Sequence, residues 1–400
     1  MKKRIFLSEP ALVCCAALNA DELYKACLEG ERKGFVLMEA GKKEYPVGRI
    51  NAEFPDFNID NEVLVYSTQT RIIKIINAAL NQMEKQIEKI ISKYGKENIS
   101  VCLGSCDNGS EASLIAHNKF LKDGVFPDNY NLCYQSASFP AEFIAKKFGL
   151  LGPVFTIATA CASGASAIMR GAELIRSGVC SAVIAGGADI VSQTVLSGFT
   201  ALEAVSDEPV NPFSKNRKGI NLGEGAAFFI LDTDNEYSVE LLGAGESSDA
   251  YHMTAPGVDG EGPVRAMKAA LADAEIESEK IGYINLHGTG TDLNDKTESL
   301  ALKKVFKNEV PASSTKPITG HTLGAAGALE AAICWMVLNK KRGLPVHLWD
   351  SVCDEEAPFL PANSSHASPS VCMSNSFAFG GCNVSLILGA SSEASLGRNE

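Results

Sequence analysis

At 400 residues the chain exceeds the usual domain size of about 100–200, which implies two or three domains or one large α/β unit able to bury a full core. Thirty-six Lys and Arg against 48 Asp and Glu leave a net charge of −12 with no basic block. That balance excludes a duplex-coating nucleic-acid binder and argues against a strongly acidic partner unless a local patch inverts the field.

The N-terminus imitates a secretory leader, with Met1-Lys2-Lys3-Arg4 ahead of the apolar run 11–18. Ser8-Glu9-Pro10 breaks the stretch between them and leaves an apolar core of only eight residues, near the lower limit for a leader, so a short strand at 4–7 is expected instead. The segment 67–93 reads as one long amphipathic helix, with Ile72, Ile73, Ile76, Ala79, Leu80, Met83 and Ile87 near a 3.6-residue period. Strands are expected at 99–104, 153–157, 180–186, 226–232, 238–244, 281–286, 370–376 and 383–388. Helices at 111–122, 138–148, 162–177, 262–274, 296–306 and 324–339 alternate with them, and 234–238 and 354–369 read as polar loops. The alternation predicts an α/β sheet protein. Each half carries a strand ending in small residues that yields to a helix, at 99–104 and 281–286 and again at 153–160 and 311–320, which allows two similar halves, 1–240 and 241–400. The longest apolar runs are broken by Asp189 and Glu330, so no membrane span is expected. Twelve cysteines show neither a CxxC pair nor a disulfide framework, and most read as small buried hydrophobes of a reducing compartment.

Four segments carry candidate chemistry. In Thr159-Ala160-Cys161-Ala162-Ser163-Gly164 an apolar strand delivers a cysteine to the start of a small-residue helix, where unpaired N–H groups favour thiolate. On this segment alone a nucleophile and a structural buried cysteine fit equally. Asn285-Leu286-His287-Gly288-Thr289-Gly290-Thr291 and Ser314-Thr315-Lys316-Pro317-Ile318-Thr319-Gly320-His321 place two of only six histidines between Gly and Thr at strand-to-helix turns. Ser374-Asn375-Ser376-Phe377-Ala378-Phe379-Gly380-Gly381-Cys382-Asn383 ends a strand in a glycine loop, whose N–H groups can approach a ligand as an oxyanion hole requires. No phosphate-loop or dinucleotide pattern occurs, and no Cys or His stands at finger-like spacing, so neither a metal nor a cofactor is expected.

Taken in this order, the four segments resemble the β-ketoacyl-acyl-carrier-protein synthases of the I/II type, including polyketide and aryl-polyene ketosynthases. The resemblance covers most of the chain and extends to Asn211–Lys215, Leu222–Ala226 and Ser247–Thr254; it is weakest over the first 60 residues. It implies a thiolase-like fold of two similar halves stacked as αβαβα layers. The activity implied is a decarboxylative Claisen condensation of a malonyl group with an acyl group held on Cys161, extending the chain by two carbons. Backbone N–H groups of Cys161 and Phe379 would form the oxyanion hole, and His287 and His321 would bind the malonyl thioester oxygen. Lys316, Glu298 and Glu330 would support them; Thr254, Thr289, Thr291 and Phe377 would bind the substrate arm.

The resemblance also implies an acidic acyl-carrier protein as partner, with substrates on its phosphopantetheine and no cofactor of the enzyme's own. Arg71 and Lys74 match a family basic patch, and Lys215, Arg217 and Lys218 form a second candidate docking site. A homodimer, or a heterodimer with a related subunit, and a cytoplasmic location are expected. Two departures stand out. Ala378 replaces the first Gly of the family's Gly-Phe-Gly-Gly loop, which would be strained if the position needed φ > 0. Gly104-Ser105-Cys106-Asp107-Asn108-Gly109 is more polar than usual near the acyl pocket, which implies an altered acyl preference. The alternatives are a biosynthetic thiolase, with Cys382 as second cysteine, and a non-catalytic chain-length factor; retention of Cys161 opposes the latter.

Overall fold

The computed structural model describes residues 2–55, 57, 70–107, 109–128, 130–234, 236–365 and 368–391. Residues 67–69 of the expected long helix, and Asn108, lie outside the described residues.

The first half begins with β1 (Phe6–Leu7), β2 (Ala11–Cys14), α1 (Ala20–Glu29) and the hairpin β3 (Phe35–Ala40) and β4 (Lys43–Gly48). It continues with α2 (Arg71–Asn81), α3 (Glu84–Tyr94), β5 (Ile99–Gly104), α4 (Ser110–Asp123), α5 (Phe139–Phe148) and β6 (Val154–Ile157). It closes with α6 (Ser163–Arg176), β7 (Ala182–Asp189), α7 (Gln193–Ala201) and β8 (Gly225–Asp232). The second half runs β9 (Val239–Ser248), α8 (Glu261–Ala274), β10 (Tyr283–Asn285), α9 (Asp292–Val305), β11 (Pro311–Ser313), α10 (Lys316–Thr319) and α11 (Ala326–Lys340). Strands β12 (Leu360–Pro361), β13 (Val371–Phe377) and β14 (Cys382–Ala390) complete it.

Strand order β6-β5-β7-β8-β1 in the first half repeats as β11-β10-β13-β14-β9 in the second, with the same directions at each step. In each, the first three strands pair in parallel and the last two add antiparallel. The halves join where β1 pairs antiparallel with β9. Helices α6 and α11 pack on each other between the halves, while α2 and α5 cover one outer face and α8 the other. Sandwiching explains their composition: α11 is buried from Ala326 to Leu338, and Gly164 of α6 meets the turn before α11 so closely that a Cβ would lie 2.8 Å from Gly324 O.

Three expectations need correction. The helix read over 67–93 is two, because N–H groups of Gln82 and Met83 bond to carbonyls three residues back while the Gln82 amide reaches over to Leu12 and Leu18. The apolar run at 11–18 contributes β2, paired with β8. Helix α1 was not expected, although Asn19 accepts from the Glu22 N–H at 3.0 Å and Gly30 ends the helix at φ 67°, an N-cap and C-cap signature present in the sequence.

Candidate active site

Cys161 stands in a one-turn 3₁₀ segment, Ala160–Ala162, directly ahead of α6. The turn is tight enough to hold Ala160 at φ 49°, a region a non-glycine residue avoids. Ser163 sustains it, accepting from the Thr159 N–H at 2.9 Å and donating to Ala160 O at 2.6 Å. His287 follows β10, and His321 follows α10. The Cys161 sulfur and one nitrogen of each histidine lie within 4.8 Å of one another, all three residues buried. Cys161, 126 and 160 residues away in sequence, thus joins two histidines 34 residues apart in a constellation of metal-ligand types that no local spacing announced.

Burial pushes the Cys161 thiol up to about 12; Lys316 and a backbone hydrogen bond from Phe379 pull the other way, and Asp189 and Glu330 add to the rise. This corrects the expectation of a lowered pKa: the sulfur precedes the helix proper and has lost its water, and desolvation outweighs the helix N-terminus. Burial also holds both imidazoles well below the usual histidine range, helped by the Lys316 charge. Lys316, itself buried, donates to Glu330, to His287 O at 2.5 Å and lies 3.5 Å from His287 Nδ1. An ammonium can only donate, so Nδ1 of His287 is the lone-pair nitrogen and Nε2 carries the proton. The buried Glu298 accepts from the N–H groups of His287 and Gly288, each at 2.8 Å, and burial pushes it, like Glu330, up to about 7.

A cleft of about 370 Å³ runs from Cys161 and both histidines past Thr254, Thr289, Thr291, Phe377 and Phe379 to Arg217 and Lys218. Phe377 lies edge-on to His287 and Phe379 stacks on Phe199. Ala378 adopts φ −100°, ψ 158°, ordinary extended backbone, so the strain anticipated there does not arise. Positive φ falls instead on Gly380 and Gly381, and a Cβ on Gly381 would lie 2.8 Å from Asp249 Cβ. Asp249 accepts from Asn383 Nδ2 at 2.7 Å and from the Gly257 N–H at 3.0 Å, tying the glycine loop to the segment that carries Thr254. Neither Asp249 nor Asn383 stands out in the sequence by residue type, although both lie inside the family-like segments 247–254 and 374–383.

The basic patches fare differently. Arg71 is not a free docking cation: its guanidinium is bound to the fully buried Glu224 and to Ile50 O. Arg217 is enclosed as well, its side chain 3% exposed between Asp354 at 2.6 Å and Asp292 at 2.9 Å. Lys215 and Lys218 are exposed, the latter paired with Glu208. Lys74 lines, with Arg71 and Asp107, a second cavity of about 630 Å³ beside α4.

Residues 55–236 match the beta-ketoacyl synthase N-terminal domain and 238–347 its C-terminal domain. The chain is a β-ketoacyl synthase. The synthase is 31% identical over 405 residues to nodulation protein E of Rhizobium meliloti (strain 1021), covering 96% of this chain and 99% of that one. It is 31% identical over 360 residues to 3-oxoacyl-[acyl-carrier-protein] synthase 2 of Staphylococcus aureus (strain COL), covering 84% and 86%. Among solved structures, it superposes with a TM-score of 0.89 and 36% identity on a chain from the complex of a ketosynthase (ApeO) with its chain length factor (ApeC) from Xenorhabdus doucetiae, covering 97% and 98%. The fold is therefore thiolase-like, and the synthase is a condensing acyltransferase of fatty acid or polyketide synthesis. Among the described residues, no helix is long and apolar enough to cross a membrane.

Proposed function

We propose that this synthase condenses a malonyl group with an acyl group held on Cys161, both delivered on the phosphopantetheine arm of an acyl-carrier protein. The convergence of one cysteine and two neutral histidines at the end of a single cleft carries this reading. In the first half-reaction the Cys161 sulfur attacks the acyl thioester, the carbon–sulfur bond to pantetheine breaks, and the thiol proton ends on the departing pantetheine sulfur. N–H groups of Cys161 and Phe379 receive the oxyanion. In the second, carbon dioxide leaves the malonyl thioester and its bonding pair becomes an enolate, whose oxygen takes hydrogen bonds from His287 Nε2 and from His321. The enolate carbon attacks the acyl-Cys161 carbonyl and the carbon–sulfur bond to Cys161 breaks; the 3-oxoacyl thioester departs on the carrier, and the Cys161 thiolate takes a proton from solvent. Decarboxylation supplies the carbanion, so no cofactor of the enzyme's own is required.

Thr254, Thr289 and Thr291 line the cleft where the polar arm would pass, with Thr289 and Thr291 hydroxyls 2.9 Å apart. The carrier would dock beside Lys215 and Lys218 at its mouth. The second cavity, with Asp107 in its wall, supports an acyl preference different from that of an ordinary elongation synthase. A second subunit, identical or of chain-length-factor type, fits the apolar surface left open at edge strand β6 and on α4, where Leu151 is 76%, Ile115 64% and Leu121 81% exposed. Twelve free thiols suit a cytoplasmic setting. The thiolase reading is less well supported, because Lys316 and His321 form the synthase pattern.

Mass spectrometry after incubation with short-chain acyl-carrier protein tests the proposal. An acyl adduct on Cys161, absent from Cys161→Ala, is expected, followed by carbon dioxide release when malonyl carrier is added. No adduct with any carrier would leave a scaffold role, and condensation of two coenzyme A thioesters without carbon dioxide would indicate a thiolase.

A further inference from the structure

Asp189 ends β7, is 1% exposed, and pairs with no cation among the described residues. Its carboxylate is instead met by hydrogen-bond donors from two separate loops. From the loop after β5, Oδ1 accepts from Ser105 Oγ at 3.0 Å, the Cys106 N–H at 3.0 Å and the Asp107 N–H at 2.8 Å. From the turn after His321, Oδ2 accepts from the Gly324 N–H at 2.5 Å, with a longer 3.1 Å contact from Cys106. The two loops approach so closely that a Cβ on Gly324 would stand 2.6 Å from Asp189 Oδ2 and 2.9 Å from Cys106 N. A Cβ on Gly187, two residues earlier in the strand and on the same face, would stand 2.6 Å from Gly324 O. The two loops thus pack nearly backbone to backbone, and the Asp189 carboxylate is the hydrogen-bonded link across the junction.

What the loops carry gives the bond a use. One presents Asp107 to the 630 Å³ cavity and sets the Cys106 sulfur 3.8 Å from Ser163 Oγ, in the turn of Cys161. The other carries His321, whose own N–H and carbonyl are bound to Asn221 and Gly223 on its far side. Leu323, between His321 and Gly324, is held at φ 50°, a conformation that a leucine adopts only where its neighbours impose it. We propose that Asp189 is a positioning residue for the condensation: it fixes the His321 turn against the Cys161 turn and the cavity loop. This rests on the assignment of His321 to enolate stabilisation.

Asp189→Asn is the informative change, because both oxygens face N–H donors and an amide must turn its NH₂ toward at least one of them. Transfer of an acyl group from an N-acetylcysteamine thioester to Cys161 needs only the Cys161 turn, whereas carbon dioxide release from malonyl-N-acetylcysteamine needs His321. Acyl transfer is expected to hold or to rise, since the Asp189 charge that adds to the rise of the Cys161 thiol is gone, and decarboxylation to fall by about 10²-fold, the cost of a misplacement near 1 Å. Asp189→Glu, which keeps the charge and acceptors, should show the same skew at about a tenth of the size. An equal loss in both half-reactions, or none in either, overturns the proposal. Should Asp189→Asn not fold, the Asp189→Glu ratio decides by the same criterion. His321→Ala is the control: if it leaves decarboxylation intact, the role given to His321 fails rather than that given to Asp189.

Discussion

Lys316 acts on three groups at once. It pairs with Glu330, fixes the tautomer of His287 from the Nδ1 side, and adds positive charge near both imidazoles and the Cys161 sulfur. Lys316→Met should strand the buried Glu330 at a cost of about 3–5 kcal/mol, measured by urea unfolding. Kinetically, kcat should fall by about 10²–10³, as for loss of an oriented oxyanion donor. The pH profile separates this from general damage. Burial first, and Lys316 second, hold His287 below its ordinary value, so the wild type keeps a neutral imidazole well below pH 6.5. Removing the ammonium lets that pKa rise, and the acid limb of carbon dioxide release should move to higher pH. An unmoved limb would mean that Lys316 does not act through His287. Much of this residue set is legible in the sequence, since Cys161, His287, Lys316 and His321 all sit in recognisable turns. What hides is Asp189: it reads only as an interruption of an apolar run, whereas the resemblance assigns Glu330 to the site beside Lys316; a charge inside such a run must find partners, and each proves to be a buried acceptor at the site.

Helix α2 shows where periodicity stops informing. Its apolar stripe predicts a helix packed on a sheet, and Ile72, Ile73, Ile75 and Ile76 are buried accordingly. The same pattern leaves Arg71 looking like a surface cation, because its partner Glu224 lies 153 residues away at the start of β8. Glu224 is fully buried, accepts from the Ile50 N–H at 2.8 Å and has Arg49 3.8 Å away, so one carboxylate anchors α2, segment 49–50 and β8. Arg71→Met removes the bidentate partner and should cost about 3–5 kcal/mol in urea unfolding. It should leave the KM for carrier protein unchanged under conditions where the variant remains folded. A raised KM with unaltered stability would restore Arg71 to a docking role. The break between α2 and α3 has the same origin: Gln82 is an ordinary helix residue whose amide is claimed by backbone of β2 and Leu18, a tertiary contact no local window contains.

Across the whole molecule the composition acquires a consequence. None of the twelve cysteines is bridged, and burial raises the pKa of ten of them above the ordinary 9.0, with Cys14 at about 11 and Cys102 and Cys161 at about 12. Above pH 9 the unfolded chain loses these protons while the folded chain keeps them. The folded state therefore binds more protons, and stability falls as pH rises. The stabilisation is complete below about 9 and is lost through the folded-state values. Tyr24, Tyr237 and Tyr283, raised by burial too, steepen the decline above about 10. Urea midpoints should change little between pH 7.5 and 8.5 and drop steeply between about 9 and 11. Cys27 isolates one contribution, being fully buried in α1 with burial as the main cause of its rise. Cys27→Ala should make the alkaline slope shallower by about 1.4 kcal/mol per pH unit, one proton's worth. An unchanged slope would show that the core opens before its thiols ionise.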